Sequence, residues 1–412
     1  MRDTRRDPAE PIRVAASTIF VMLRLPPHIF SGVDTVMRPL FHDGRIDDFM
    51  PSDYAQYLND YQILAALRRN PAVSTSRKVS RDARVLHILD LPAFASYVAQ
   101  QACRGRDRSC SWNATLPANS RTHAWRMEQA STWLRQAGVF NRSDTRLLVV
   151  MSYWNPVLVF GRELTEALIR CRGCMLATKR DDAEFKPKMN RVDGFPAGRR
   201  TVIPYLAHWR ASLRPGQLIQ RDGLMFHGAF TDPNGDPRRG RGVLPALAAA
   251  TRLNFSLSNS TVGWASNNKG YLSHEQQQAR VTAQQHATIA AMQSAQLCLV
   301  PEGDSIESRR LFDALAAGCV PILMRRPEYF RADLPFARSI PWEKVALFVE
   351  WPPTRPITAT ARWLEGVAAN ATLINELRVA GQIAFRHFLA LDTNAAGVAG
   401  ALLSEVVARA AG

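Results

Sequence analysis

The chain has 412 residues, 46% of them hydrophobic, and a formal net charge of +16. That length suits about two to three domains with a sizeable core that needs no disulfide to be stable. The charge rests on 52 Lys and Arg, only six of them Lys, without an RNA-recognition signature, zinc finger or helix-turn-helix, which argues against nucleic acid and leaves either anionic small molecules and glycans or a plain solvated basic surface.

In chain order, residues 1–12 are polar and charged and read as a disordered tail. Apolar runs then give strands near 14–25, 84–90, 146–153, 173–178 and 201–205. Helical patterns fall between them at 53–68, 91–102, 121–137 and 161–171. This alternation predicts a first doubly wound domain over 13–212, with 179–199 as a polar surface loop. The stretch 205–222, with Pro215-Gly216, reads as the hinge. A second set of strands follows near 223–230, 254–259, 296–301, 319–324 and 346–350. Helices at 242–252, 275–294 and 305–317 complete a second domain over 213–358, and helices over 359–412 close the chain. The fold class is therefore α/β, and ligands are expected outside the carboxyl ends of the strands.

Six cysteines are present. Cys103 and Cys110 flank a polar loop and could pair in an oxidising compartment. Cys171 and Cys174 form a lone C-x-x-C, weak evidence for zinc or redox chemistry. Cys298 and Cys319 lie in apolar strands and read as buried thiols. Sequons at Asn113, Asn141, Asn254, Asn259 and Asn370 tilt the reading toward a lumenal protein, with Asn254 inside a strand. No stretch supplies the roughly 20 apolar residues a bilayer-spanning helix needs. The apolar run 14–25 is broken by Arg24 and reads as a strand rather than a signal peptide.

The most informative segment is QLCLVPEGDSIESRRLFDALAAGCVPILM, residues 296–324. It reads as a buried strand, a turn, an amphipathic helix ending at Gly318, and a second buried strand. Leu311 and Leu315 make the apolar stripe, while Glu307, Arg310 and Asp313 share another face. Asp304 or Ser305 is the expected cap of a helix start that favours an anion. An arginine and an acid beside such a start suit a nucleotide diphosphate and its ribose. A second cluster, GLMFHGAFTDPNGDPRRGRGVLPAL at 223–247, places Arg238, Arg239 and Arg241 in a Gly/Pro-rich loop before a helix. It lacks the G-K-S/T of a Walker A loop. Arg241 is the expected phosphate clamp, the alternative being a solvated basic loop.

The run CLVPEGD followed by SRRLFDALAAGCVPIL resembles the C-terminal signature of the exostosin family of glycosyltransferases. The resemblance implies the GT-B architecture, two Rossmann-like domains facing a cleft, with the last helix crossing back to the first domain. It also implies a nucleotide-sugar donor and inversion at the anomeric carbon. On that basis Arg310 neutralises the leaving diphosphate and Asp313 binds the ribose, alternatives being a surface arginine paired with Glu307 and a helix-stabilising acid. Gly303, Asp304, Ser305 and Ser308 offer donors to phosphate or sugar. Arg309 points away from Arg310 and is a weaker candidate. Asp333, before Leu334-Pro335-Phe336, matches the family's acid before L-P-F and implies a donor-sugar contact. TVIPY at 201–205 is similar to the family's V-I-P-Y and puts Tyr205 on the acceptor side.

The first domain departs from the family pattern. MLRLPP carries Arg24 at an acidic position, and Ser152-Tyr153-Trp154 replaces an H-D-W. The catalytic base is therefore not identified, with Asp90, His208 and His227 as weak candidates and His87 behind them. The expectation is an inverting glycosyltransferase moving sugar from a UDP-sugar to a glycan hydroxyl, without a metal or other cofactor. The alternative is a catalytically silent exostosin-like subunit that binds nucleotide-sugar or anionic glycan. Family members are usually Golgi membrane proteins, so the Golgi or secretory-pathway lumen is expected, with a membrane anchor outside this chain or different targeting. A homo- or heterodimer is compatible with the sequence.

Overall fold

The computed structural model describes residues 18–30, 32–34, 37–38, 58–74, 84–103, 122–140, 146–153, 156–179, 195, 197–208, 211–212, 221–230, 238–259, 274–302, 308–331 and 334–411. Cys110, the sequons at Asn113 and Asn141, and Pro215-Gly216 lie outside these residues, as do Gly303, Asp304, Ser305 and Asp333. The side chain of Cys103 also falls outside what is described.

The first half alternates strand and helix. It runs β1 (Thr18–Arg24), α1 (Asn59–Arg69), β2 (Val73–Ser74), β3 (Arg84–Asp90), α2 (Ala93–Cys103) and α3 (His123–Gln136). It continues through β4 (Arg146–Met151), α4 (Pro156–Arg170), β5 (Cys174–Thr178) and β6 (Arg200–Val202). The six strands form one parallel sheet in the order β2-β1-β3-β4-β5-β6. The chain leaves β1 for β2 on one side and returns to β3 on the other, so the switch of direction lies between β1 and β3. Their last residues, Arg24 and Asp90, are directly paired in register.

The second half continues with β7 (Leu224–His227), α5 (Leu244–Ala250), β8 (Phe255–Ser258), α6 (His274–Ser294), β9 (Leu297–Pro301) and α7 (Arg309–Ala317). Then come β10 (Val320–Arg325), β11 (Leu347–Glu350), α8 (Ile357–Ala369), α9 (Ala371–Ala384) and α10 (Ala395–Ala411). The strand order is β11-β10-β9-β7-β8, all parallel, with the switch between β7 and β9. β9 and β10 are buried along their whole lengths, as a parallel sheet covered on both faces requires. Successive residues alternate between faces. Leu224, Phe226, Leu297, Leu299, Ile322 and Met324 join the core under α5, α8 and α9. Met225, Cys298, Val300 and Leu323 point the other way, into a core continuous with that of the first sheet. Helix α10 leaves the second half and packs on α1 and β6 of the first. Among the described residues no helix is long and apolar enough to cross a membrane.

Several sequence readings are corrected. Cys298 and Cys319 are disulfide-paired rather than free thiols, because neighbouring strands bring them onto one face. Cys171 and Cys174 are also paired, across the tight turn between α4 and β5, and so do not stand as open metal or redox ligands. Lys179, read as the start of a surface loop, is buried at the end of β5 with its ammonium 3.8 Å from the Tyr205 ring centroid. Asn254 precedes β8 and is exposed, and its carbonyl accepts from the Leu224 amide.

Candidate active site

The switch point of the second sheet gathers two arginines. β7 ends at His227 and β9 at Pro301, neighbours in the sheet. Helix α7 starts later than the sequence suggested. Its N-cap is Ser308, whose hydroxyl accepts from the Arg310 amide, rather than Asp304 or Ser305. Glu307, expected on the face of Arg310 and Asp313, lies outside the described residues. The expected stop holds, with Gly318 in the left-handed region at φ 71° where other residues are strained.

The late start lets Arg310 reach back over the sheet edge. Its guanidinium Nη2 donates to the His227 carbonyl at 2.9 Å, and the group lies 4.6 Å from the Phe226 ring centroid. Arg241 arrives from the loop before α5. Its Nε donates to the Glu302 carbonyl at 2.8 Å and its Nη1 to the Ala229 carbonyl at 3.2 Å, with the group 5.9 Å from the same ring. Two cations thus flank one aromatic ring at the carbonyl ends of β7 and β9. Burial, and then the neighbouring Arg241, push the Arg310 pKa down to about 9, partly opposed by Asp313. Part of Arg310 stays open to solvent. Among the described residues Arg310 forms no salt bridge. A doubly flanked, partly desolvated cation without its own carboxylate is a site that an anion would relieve.

Gly228 allows this approach. A Cβ there would lie 2.5 Å from Arg310 Nη2 and 3.0 Å from the Phe226 ring. Gly228→Ala is expected to displace the guanidinium, weakening anion binding at this site at least about tenfold while the fold persists. Titration with UDP, with circular dichroism as the folding control, checks this.

The other expected residues sit at the junction between the two halves. Asp313 Oδ1 accepts from the His208 amide at 2.6 Å and lies 3.6 Å from Arg309 Nε. The carboxylate expected on the ribose therefore ties α7 to the segment after β6, and Arg309 neutralises it. Tyr205 is buried between Lys179 and Phe312, its ring centroid 5.8 Å from that of Phe312. His208 is buried, with Nε2 3.3 Å from Gln285 Oε1.

The remaining base candidates are separate. His227 Nε2 lies 2.9 Å from Ser256 Oγ, and burial followed by Arg310 lowers its pKa, favouring the neutral imidazole. Asp90 is held by Arg68, whose Nε is 2.9 Å from Oδ2 and whose Nη2 is 2.6 Å from Oδ1.

Sequence reasoning missed Asp60. It is fully buried in the first turn of α1 and accepts from the amides of Tyr61, Phe94 and Ala95 at 2.8, 2.7 and 3.2 Å. Burial pushes its pKa up to about 6, opposed by these three amide hydrogen bonds and by the Ser152 side chain. Its sequence neighbourhood reads as an ordinary helix, so only the spatial convergence of α1, α2 and the end of β4 reveals it.

Residues 259–356 match the family model of the Exostosin GT47 domain. The resemblance read from 296–324 therefore holds. A probable glucuronosyltransferase, GUT1, of Oryza sativa subsp. japonica is 32% identical over 157 residues, 37% of this chain and 32% of that protein. A probable beta-1,4-xylosyltransferase, IRX10, of Arabidopsis thaliana is 33% identical over 157 residues, again 37% and 32% of the two chains. The matched stretch thus spans about a third of the length of these curated relatives. Among solved structures, the lipopolysaccharide glycosyltransferase WaaG aligns over 94% of this chain and 99% of its own, at 11% identity and a TM-score of 0.37. The two doubly wound parallel sheets make the architecture GT-B.

Proposed function

We propose that this chain, whose residues 259–356 carry the exostosin match, is an inverting, metal-independent glycosyltransferase using a UDP-sugar donor and a glycan hydroxyl acceptor. The observation that carries the reading is the pair Arg310 and Arg241 around Phe226, at the sheet switch point where open α/β folds bind nucleotides. Relatives named for glucuronosyl and xylosyl transfer support glycosyl transfer and put UDP-glucuronate and UDP-xylose first among donors.

In this mechanism the acceptor oxygen attacks the anomeric carbon from the face opposite the diphosphate. The bond from that carbon to the β-phosphate oxygen breaks, and its electron pair leaves with UDP. Arg310 and Arg241 stabilise the charge that develops on the leaving oxygen. The acceptor proton passes to a base. Gly303, Asp304, Ser305 and Ser308 would line the phosphates, with Asp333 on the sugar and Asp313 on the ribose through the oxygen not used at the junction. The two disulfides among the described residues suit an oxidising lumen such as the Golgi or secretory pathway.

A UDP-release assay over a UDP-sugar panel, with and without glycan acceptors and with EDTA in half the wells, tests the reading. Acceptor-stimulated release that survives EDTA is expected. UDP-induced stabilisation without release from any sugar would instead make this a silent donor-binding subunit, and absence of both signals would remove the nucleotide-sugar reading. Asp90→Asn and His227→Gln belong in the same assay, since loss of turnover with UDP binding intact identifies the base.

A further inference from the structure

A cavity of about 750 Å³ opens among the outer helices α2, α3 and α4 of the first half. It owes its existence to a break in α4. Gly161 sits at φ 73° and ψ 166° inside that helix, and a Cβ built there would meet nothing within 4 Å. The Val159 carbonyl beside the break lies 2.9 Å from His123 Nε2, and His123 Nδ1 lies 3.3 Å from Ser96 Oγ. Burial lowers the His123 pKa to about 4, so the cavity wall carries no imidazolium at neutral pH.

The lining combines three kinds of group. Phe160 and Met127 supply a buried apolar floor, and the half-buried Tyr97 ring stands at its side. Gln100 uses its carbonyl oxygen on the His123 amide at 2.5 Å, which leaves its two amide hydrogens as donors. Thr122 caps α3 through its oxygen, so its hydroxyl hydrogen is still available to donate. On the rim, Glu128 is exposed and forms no ion pair among the described residues, whereas Glu163 pairs with Arg135 at 3.2 Å. Ser131, also in the lining, is 2% exposed, and its hydroxyl has no hydrogen-bond partner among the described residues.

We infer that this cavity is a carbohydrate subsite holding a neutral, hydroxyl-rich sugar unit of the acceptor chain, away from the donor site. An aromatic face, amide and hydroxyl donors and a carboxylate acceptor are the groups that bind sugar rings. The rim carries both signs, with Glu128 exposed and outside any ion pair among the described residues, Glu163 paired with Arg135, and Arg162 3.7 Å from a Glu166 that also holds Arg170 at 2.7 Å, so no cationic cluster selects an anionic sugar. The cavity also adjoins the carboxyl edge of the first sheet. Tyr153, just past β4, stacks on Phe94 at 4.7 Å, Phe94 lies 5.9 Å from Tyr97, and Tyr97 meets His123 edge-on at 5.6 Å. This stack, in which Phe94 is fully buried, braces the cavity wall against the strand ends. The inference rests on the glycan-acceptor reading above.

The test titrates the full chain with neutral hexasaccharides (xylohexaose, cellohexaose, mannohexaose) and with anionic hexagalacturonate, following binding calorimetrically without nucleotide. Ala124→Trp, an exposed wall position on α3, fills the cavity, and Glu128→Lys reverses the rim charge. At least one neutral hexamer is expected to bind, hexagalacturonate to bind about tenfold more weakly, and both variants to lose about tenfold in neutral-hexamer affinity. The rise in melting temperature produced by UDP should be the same in all three proteins, which also shows that the variants fold. Neutral-hexamer binding unchanged in both variants, or absent from the parent, with the UDP response present, overturns the subsite and leaves the transferase reading standing. Cavity-dependent binding without any UDP response supports the subsite and removes the transferase reading. Loss of both signals in the parent removes both.

Discussion

Replacing Arg310 with alanine is expected to erase the UDP-induced rise in melting temperature and to lower kcat/KM by about a thousandfold. The reason lies in how the residue is held. Its guanidinium is fixed against Phe226 and the His227 carbonyl, beside Arg241, without a salt bridge of its own among the described residues. In the proposed mechanism the leaving diphosphate supplies the missing anion, and its charge grows as the glycosidic bond breaks. The apo protein should lose little stability. One hydrogen bond and a cation–π contact, each about 1 kcal/mol, are set against relief from the neighbouring cation. Arg310→Lys keeps a charge but not the two-pronged geometry, so it should restore nucleotide binding only in part. A mutant that retained parental kcat/KM would sink the assignment.

The second large effect is structural. Asp60→Ala should cost several kcal/mol and lower the melting temperature by roughly 10 °C, because it leaves three buried amides without an acceptor. Those amides belong to α1 and to the first turn of α2, so the loss loosens the edge of the first sheet near Ser152. The pH dependence distinguishes the charge from the packing. Burial raises the folded pKa of Asp60 from 3.8 to about 6, so the folded chain binds this proton more tightly than the unfolded chain. Its contribution therefore favours folding below about pH 4 and is lost as pH rises through about 6. His123 acts in the opposite sense, since its lowered pKa costs stability as pH falls from 6.5 toward about 4. Comparing parent with Asp60→Asn between pH 4 and 7 cancels the His123 contribution. The parent should lose stability relative to that variant over the interval, and equal slopes would contradict the buried-acid account.

Much of the chain was legible from periodicity and turn chemistry. The fully buried strands Leu297–Pro301 and Val320–Arg325, the Leu311 and Leu315 stripe and the Gly318 stop all follow from local pattern. The capping chemistry of Asp304 and Ser305 points to an earlier start for helix α7 than the structure has. Ser308 caps instead, one turn later, and this lets Arg310 lie back across Phe226. The cysteine pairs were unreadable for a related reason. Strand neighbours 21 residues apart in sequence become facing partners only once the sheet order is known.

The sequence by itself determined the class of protein: an α/β chain with an exostosin-like segment at 296–324 and a Gly/Pro-rich loop carrying Arg238, Arg239 and Arg241. Those features reside in contiguous residues, where hydrophobic period, glycine stops and motif order are written directly. Only the tertiary structure decided that Asp313 spends one carboxylate oxygen on His208, that Tyr205 is buried under Lys179, and that Asp60 anchors α2. It alone placed a cavity behind the break at Gly161. Each of these depends on which elements pack side by side, and burial and pKa follow from neighbours that lie far away in the chain.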